Sequence, residues 1–65
     1  MSIAENIKKL REQNNMTQEA LADKVRVARP MITQIERGTK IPSMLLAISI
    51  ADALDCTIGE LYGRD

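Results

Sequence analysis

Three residues, Arg26-Val27-Ala28, are all that separate two stretches of helical pattern, and this short gap limits the fold more than any other feature of the chain. The stretch before it opens at Thr17, whose side-chain oxygen suits a helix start, with Glu19 near the positive end of the helix dipole. Ala20, Leu21, Ala22 and Val25 are its expected buried side. The stretch after it runs from about Arg29 to Arg37. Pro30 is tolerated there because it falls in the first turn, and Gly38 suits the left-handed end. So short a connection forces a sharp turn, as in a helix-turn-helix. Ala22 is small where the two helices approach, and Ile32 and Ile35 reach back toward the first two helices.

The flanking segments are helical as well. Ser2 and Glu5 form an S-x-x-E capping box, followed by Ile3, Ile7 and Leu10 as one apolar stripe. Asn14-Asn15 ends this first helix, because Asn tolerates a left-handed terminus. Thr39 to Pro42 form a loop, and Ser43 caps a fourth helix through about Leu54. Thr57 and Glu60 repeat the capping box for a short fifth helix ending near Gly63. No period-2 run is long enough for a strand. The expected architecture is all-α: a single compact five-helix domain over residues 1–65.

A chain of 65 residues buries roughly 60% of its unfolded surface, which leaves little room for an enzyme cleft. It has no histidine and one cysteine, so a zinc-ligand set, an internal disulfide and a nucleophile–histidine pair are all excluded. No catalysis, cofactor, metal or small-molecule ligand is expected. Cys56 is read as buried filler rather than a redox sensor. Met1, Met16, Met31 and Met44 show no ligand spacing; Met31 is a candidate DNA contact and the others belong to the core or the chain end. The single aromatic ring, Tyr62, is too little for a base-stacking platform on single strands. No apolar run approaches the roughly 18 residues of a membrane span, and the amino end lacks signal-peptide chemistry. A cytoplasmic protein without a membrane partner is expected.

Lysines and arginines balance aspartates and glutamates at nine each, but unevenly along the chain. Residues 24–40 carry Lys24, Arg26, Arg29, Arg37 and Lys40 against Glu36 alone, a net charge of +4. Residues 41–65 carry only Arg64 against Asp52, Asp55, Glu60 and Asp65, a net charge of −3. A neutral chain with such a cationic pole can face phosphates. With Ile32 and Ile35 inward, the third helix turns Arg29, Pro30, Thr33, Gln34 and Arg37 outward. Arg pairs with guanine and Gln with adenine in a major groove. The alternative is an ordinary polar helix face.

From Ile7 to Tyr62 the chain resembles the helix-turn-helix domains of lambdoid phage repressors and Cro, the xenobiotic-response-element family. The matching text is I-K-K-L-R-E-Q-N-N-M-T-Q-E-A-L-A-D-K-V, then I-T-Q-I-E-R-G-T-K-I-P-S, then I-A-D-A-L. The resemblance implies a lambda-repressor-like fold and a bacterial or phage-encoded, nucleoid-associated regulator that binds double-stranded DNA. By position it gives Gln18 a phosphate contact that also buttresses the reading helix. It puts Arg29, Pro30 and Gln34 on bases with Thr33 beside them, and Thr39 and Lys40 on the sugar–phosphate backbone. It also makes Arg11 and Glu36 a partly buried ion pair. Arg26 stands where the family has glycine, which suggests a different turn and an added phosphate contact. Ala28 replaces the hydroxyl cap, and Pro30 limits one reading position to apolar contact.

The resemblance further implies two-fold dimers on paired half-sites. At ~100° per residue the fourth helix places Met44, Ala47, Ile48, Ala51 and Leu54 on one inward stripe. Leu45 and Leu46 fall opposite, beside Ser49 and Ala53, and are read as a homodimer face with Tyr62 at its edge. The expected function is a homodimeric repressor and autoregulator on a palindromic operator. A protein-interaction module, such as an antitoxin or coactivator, is the alternative.

Overall fold

Both capping boxes form, one at each end of the fold. In the computed structural model, which describes residues 2–63, Ser2 Oγ accepts from the Glu5 amide at 3.2 Å and Glu5 Oε1 accepts from the Ser2 amide at 3.1 Å. These bonds from Ser2, backbone first and then hydroxyl, hold the Glu5 carboxyl below its usual range. They open α1, Ile3–Gln13, which ends where Asn15 turns left-handed at φ 55°. Met1, and with it the expectation that it belongs to the core or chain end, lies outside the described residues, as do Arg64 and Asp65.

Thr17 caps α2, Gln18–Val25, by accepting from the Ala20 amide at 3.0 Å. The connection to α3, Arg29–Arg37, is as short as expected, but the turn is not a different one. Arg26 itself adopts φ 62° and ψ 45°, the left-handed conformation for which glycine is best suited, at a cost of about 1–2 kcal/mol. Gly38 ends α3 at φ 79°; a Cβ there would meet nothing within 4 Å, so backbone conformation alone calls for glycine. Ser43 caps α4, Met44–Ala53, and the Thr57–Glu60 box opens α5, Ile58–Leu61.

Ala28 has the extended backbone of an N-cap (φ −71°, ψ 147°) but no side-chain oxygen to use it. Ala28→Ser should therefore stabilise the fold by about 0.5–2 kcal/mol, read as a higher midpoint in urea with an unchanged slope. A midpoint that stays put or falls would mean that the start of α3 is already satisfied.

The core is built from Ile7, Leu21, Ala22, Ile32, Ile35, Ala47, Ile50, Ala51, Leu54 and Leu61. α3 packs on α1 and α2, α4 on α2 and α5, and α5 returns to α1. Asn6, buried on α1, locks that return by donating from Nδ2 to the Leu61 carbonyl at 3.1 Å. The result for function is that α3 is held along one side and has its other side free.

Three inward assignments are corrected. Ala20 is exposed, because α2 turns Leu21, Ala22 and Val25 toward the core instead. The larger correction concerns α4. Met44 and Ile48, expected inward, are 58% and 50% exposed, whereas Ile50 is fully buried. Leu46, Ala53 and Tyr62, expected at an outward face, are half-buried against the core, and Ser49 is half-buried too. Ser49 and Ala53 share a concavity with Lys24, Val25 and Arg26 of the α2 end. Of the expected outward leucines only Leu45 stands clear, at 77% exposure.

Candidate nucleic-acid interface

The free side of α3 carries the residues expected there. Arg29, Pro30, Gln34 and Arg37 are exposed, Thr33 is half-buried, and all five line one shallow concavity. A second concavity, lined by Arg11, Thr17, Gln18, Glu19 and Arg29, adjoins it through Arg29. The beginning of α2 and the free side of α3 thus form one continuous surface. Met31 is half-buried against the core. Arg26 lines a further concavity with Lys24 and Asp52.

Behind the surface lies a polar network whose centre is Glu36. Its carboxylate accepts from Arg11 Nε at 2.7 Å and Arg11 Nη2 at 3.1 Å, a bidentate pair. The two side chains are only 10% and 4% exposed. Arg11 Nη1 also donates to the Met16 carbonyl at 2.6 Å. The hydrogen bond to Glu36 outweighs desolvation and raises the Arg11 guanidinium above its ordinary range, so the charge on it is permanent. Glu36 Oε1 accepts a further bond from Gln18 Nε2 at 3.1 Å, and Gln18 Oε1 accepts from the Thr33 hydroxyl at 2.8 Å. The ion pair was anticipated; the extension through Gln18 to Thr33 was not. It depends on where α2 and α3 cross, which no local pattern reveals.

The electrostatic consequence is direct. Glu36 is the sole acid of residues 24–40, and it is withdrawn and neutralised. Arg29, Arg37 and Lys40 remain exposed. Thr39, expected to grip the backbone, donates its hydroxyl to the Gln34 carbonyl at 3.1 Å and so closes the end of α3; Lys40 stays free of such a role. Asp52, Asp55 and Glu60 surround a different concavity, beside Cys56. Burial, then Glu60 and Asp55, push the Cys56 thiol up, away from reactive thiolate. Among the described residues no group of three or more acidic, Cys or His side chains is placed to hold a metal. No described helix is long and apolar enough to cross a membrane.

A second group of exposed side chains is apolar. Ile41, Met44, Leu45 and Ile48 are 80%, 58%, 77% and 50% exposed. Residues 41–51 contain no charged side chain, and that absence was the one sequence signal that could have revealed Ile41.

Residues 7–61 match the family described as Helix-turn-helix. The chain is 38% identical over 58 residues to the HTH-type transcriptional regulator YqaE of Bacillus subtilis, covering 89% of this chain and 50% of that protein. It is 36% identical over 64 residues to the cryptic phage CTXphi transcriptional repressor RstR of Vibrio cholerae, covering 98% and 57%. The chain therefore spans about half the length of these two relatives. Among solved structures, the P22 c2 repressor in complex with a synthetic operator superimposes with a TM-score of 0.92 at 28% identity, covering 100% of this chain and 98% of that one. The restriction-modification controller protein C.AhdI from Aeromonas hydrophila gives 0.88 at 28% identity, covering 92% and 91%. With five helices in this order and a match over nearly its whole length, the chain belongs to the helix-turn-helix family and has the repressor-like fold of that family.

Proposed function

We propose that the chain is a sequence-specific DNA-binding transcriptional regulator, a repressor acting in the cytoplasm as a homodimer on a palindromic operator. The observation that carries this reading is the free side of α3. It presents Arg29, Gln34 and Arg37 while the one acid of α3, Glu36, is turned inward onto Arg11. Arg29 and Gln34 read base edges in the major groove, Pro30 offers apolar contact, and Gln18 and Lys40 hold the phosphates. The P22 c2 repressor, whose fold this chain shares, is bound to a synthetic operator, which supports a duplex-binding role for this chain.

Sites selected from random duplex DNA provide the test. Gln34→Ala should cost ~1–3 kcal/mol on the selected site and relax preference at one position. Lys40→Ala should weaken all duplexes alike and flatten the salt dependence by about one unit. Equal losses for Gln34→Ala on selected and random duplex would remove its base-reading role.

The exposed apolar side chains support the dimer. A two-fold contact sets residues near its axis against their own copies, so an uncharged apolar patch suits a second copy of the chain. Ile41, Met44, Leu45 and Ile48 form that face, in place of the Leu46, Ser49, Ala53 and Tyr62 grouping. Ile41 follows Lys40 directly, so the axis runs close to the backbone-gripping loop. The longest extent of the fold is 29 Å, which allows two reading helices to lie about 34 Å apart, one turn of duplex.

A further inference from the structure

We propose that Thr33 and Glu36 are positioning residues for the phosphate grip, setting which way the Gln18 amide faces, and that Thr33 reads no base. The inference rests on the reading of the α3 face as a duplex-binding surface. A glutamine amide is nearly the same shape either way round, but only its nitrogen end can donate to a phosphate. Left free, it would turn its oxygen toward the phosphate in a share of its conformers, and that arrangement is repulsive.

Here the choice is made by the protein. Gln18 Nε2 donates to Glu36 Oε1 at 3.1 Å, and Gln18 Oε1 accepts from Thr33 Oγ1 at 2.8 Å. A flipped amide would set its oxygen against the Glu36 carboxylate oxygen, which also accepts from the bidentate Arg11. Glu36 thus excludes the flip, and the Thr33 hydroxyl rewards the correct state. The Gln18 nitrogen carries two hydrogens; one goes to Glu36 and the other remains for a phosphate oxygen. Gln18 lies in the concavity it shares with Arg29, beside the α3 face.

The same bonds commit the Thr33 hydrogen within the protein, so it is not available to a base. A threonine hydroxyl has one hydrogen to give. Its acceptors are Gln18 Oε1 at 2.8 Å and the Arg29 carbonyl at 3.3 Å, both within the protein. Thr33 is half-buried where Gln34 is exposed, which agrees with an internal role. The Arg11–Glu36 pair therefore serves DNA binding as well as stability, acting through Gln18.

Anisotropy titrations of the full chain test this on three kinds of duplex: a selected site, a random sequence, and a set of sites each carrying one uncharged methylphosphonate. Gln18→Ala first identifies the phosphate it contacts, as the position where neutralisation costs that variant nothing more. Thr33→Val, of nearly equal volume, should weaken selected and random duplexes alike by about three- to tenfold, as loss of one hydrogen bond does. Base preference should not change, the loss should vanish on the duplex neutralised at the Gln18 phosphate, and Thr33→Ser should restore affinity. A changed base preference in Thr33→Val, or a loss that persists on the neutralised duplex, would overturn the proposal. If Gln18→Ala binds like the unaltered chain, the phosphate role of Gln18 fails and the proposal with it. Duplex binding by α3 would survive that result, and only a failure of the unaltered chain to bind duplex would remove the wider reading.

Discussion

Arg11→Ala should lower the stability of the fold by about 3–5 kcal/mol, the effect expected when one partner of a buried ion pair is removed. The Glu36 side chain is 4% exposed and would lose two of its three hydrogen bonds, keeping only the one from Gln18. The Met16 carbonyl would lose its donor as well. A chain of 65 residues has roughly 3–10 kcal/mol of stability in total, so this one change takes a large share of it. Surface substitutions stay within about 0.5 kcal/mol, which separates the two cases clearly. Pairing Arg11→Ala with Glu36→Ala should cost less than the sum of the single changes, by about 1 kcal/mol or more, because no charge is then stranded. Urea denaturation of the four proteins measures this directly. Strictly additive losses would mean that the two side chains do not depend on one another.

Leu45→Glu combined with Ile48→Glu should yield a folded monomer whose affinity for a palindromic site falls on the order of a hundredfold or more. Linking two half-sites through one dimer raises overall affinity by that order, and losing the link forfeits it. Both positions are at least half exposed, so the fold should tolerate the charges. Across a two-fold axis each glutamate would meet its own copy, and like charges on a desolvated contact are strongly unfavourable. Affinity for an isolated half-site should change little. Sedimentation shows the assembly state and circular dichroism the fold. A double variant that still sediments as a dimer and still favours the palindrome would move the interface elsewhere. Leu46 is unsuitable for such a test: it is half-buried against the core, and a charge there would damage folding.

The difference between Leu45 and Leu46 marks where the sequence was legible and where it was not. Helix ends were legible because caps are local chemistry. Ser2, Thr17, Ser43 and Thr57 each accept from the backbone three residues on, as their residue types and neighbours implied. The free side of α3 was legible too, because Ile32 and Ile35 have strongly polar neighbours that fix the direction of burial. In α4, by contrast, Met44 to Ala53 includes only Ser49 and Asp52 as polar residues. A helix apolar nearly all round gives no direction of its own, and packing against α2 and α5 decides it. Arg26 was misjudged for a related reason. The tight turn between α2 and α3 imposes φ 62° whatever residue is there, so the geometry persists and the residue bears the strain. The Gln18–Thr33 bond joins residues fifteen apart and exists only because two helices cross.

Competition between a selected duplex and random duplex, titrated at two salt concentrations, tests the central claim most directly. Binding should weaken with salt for both, as phosphate contacts require. The selected site should be preferred on the order of a thousandfold or more, and Gln34→Ala together with Arg29→Ala should largely remove that preference. Binding that is equal on every sequence, or absent at physiological salt, would contradict it.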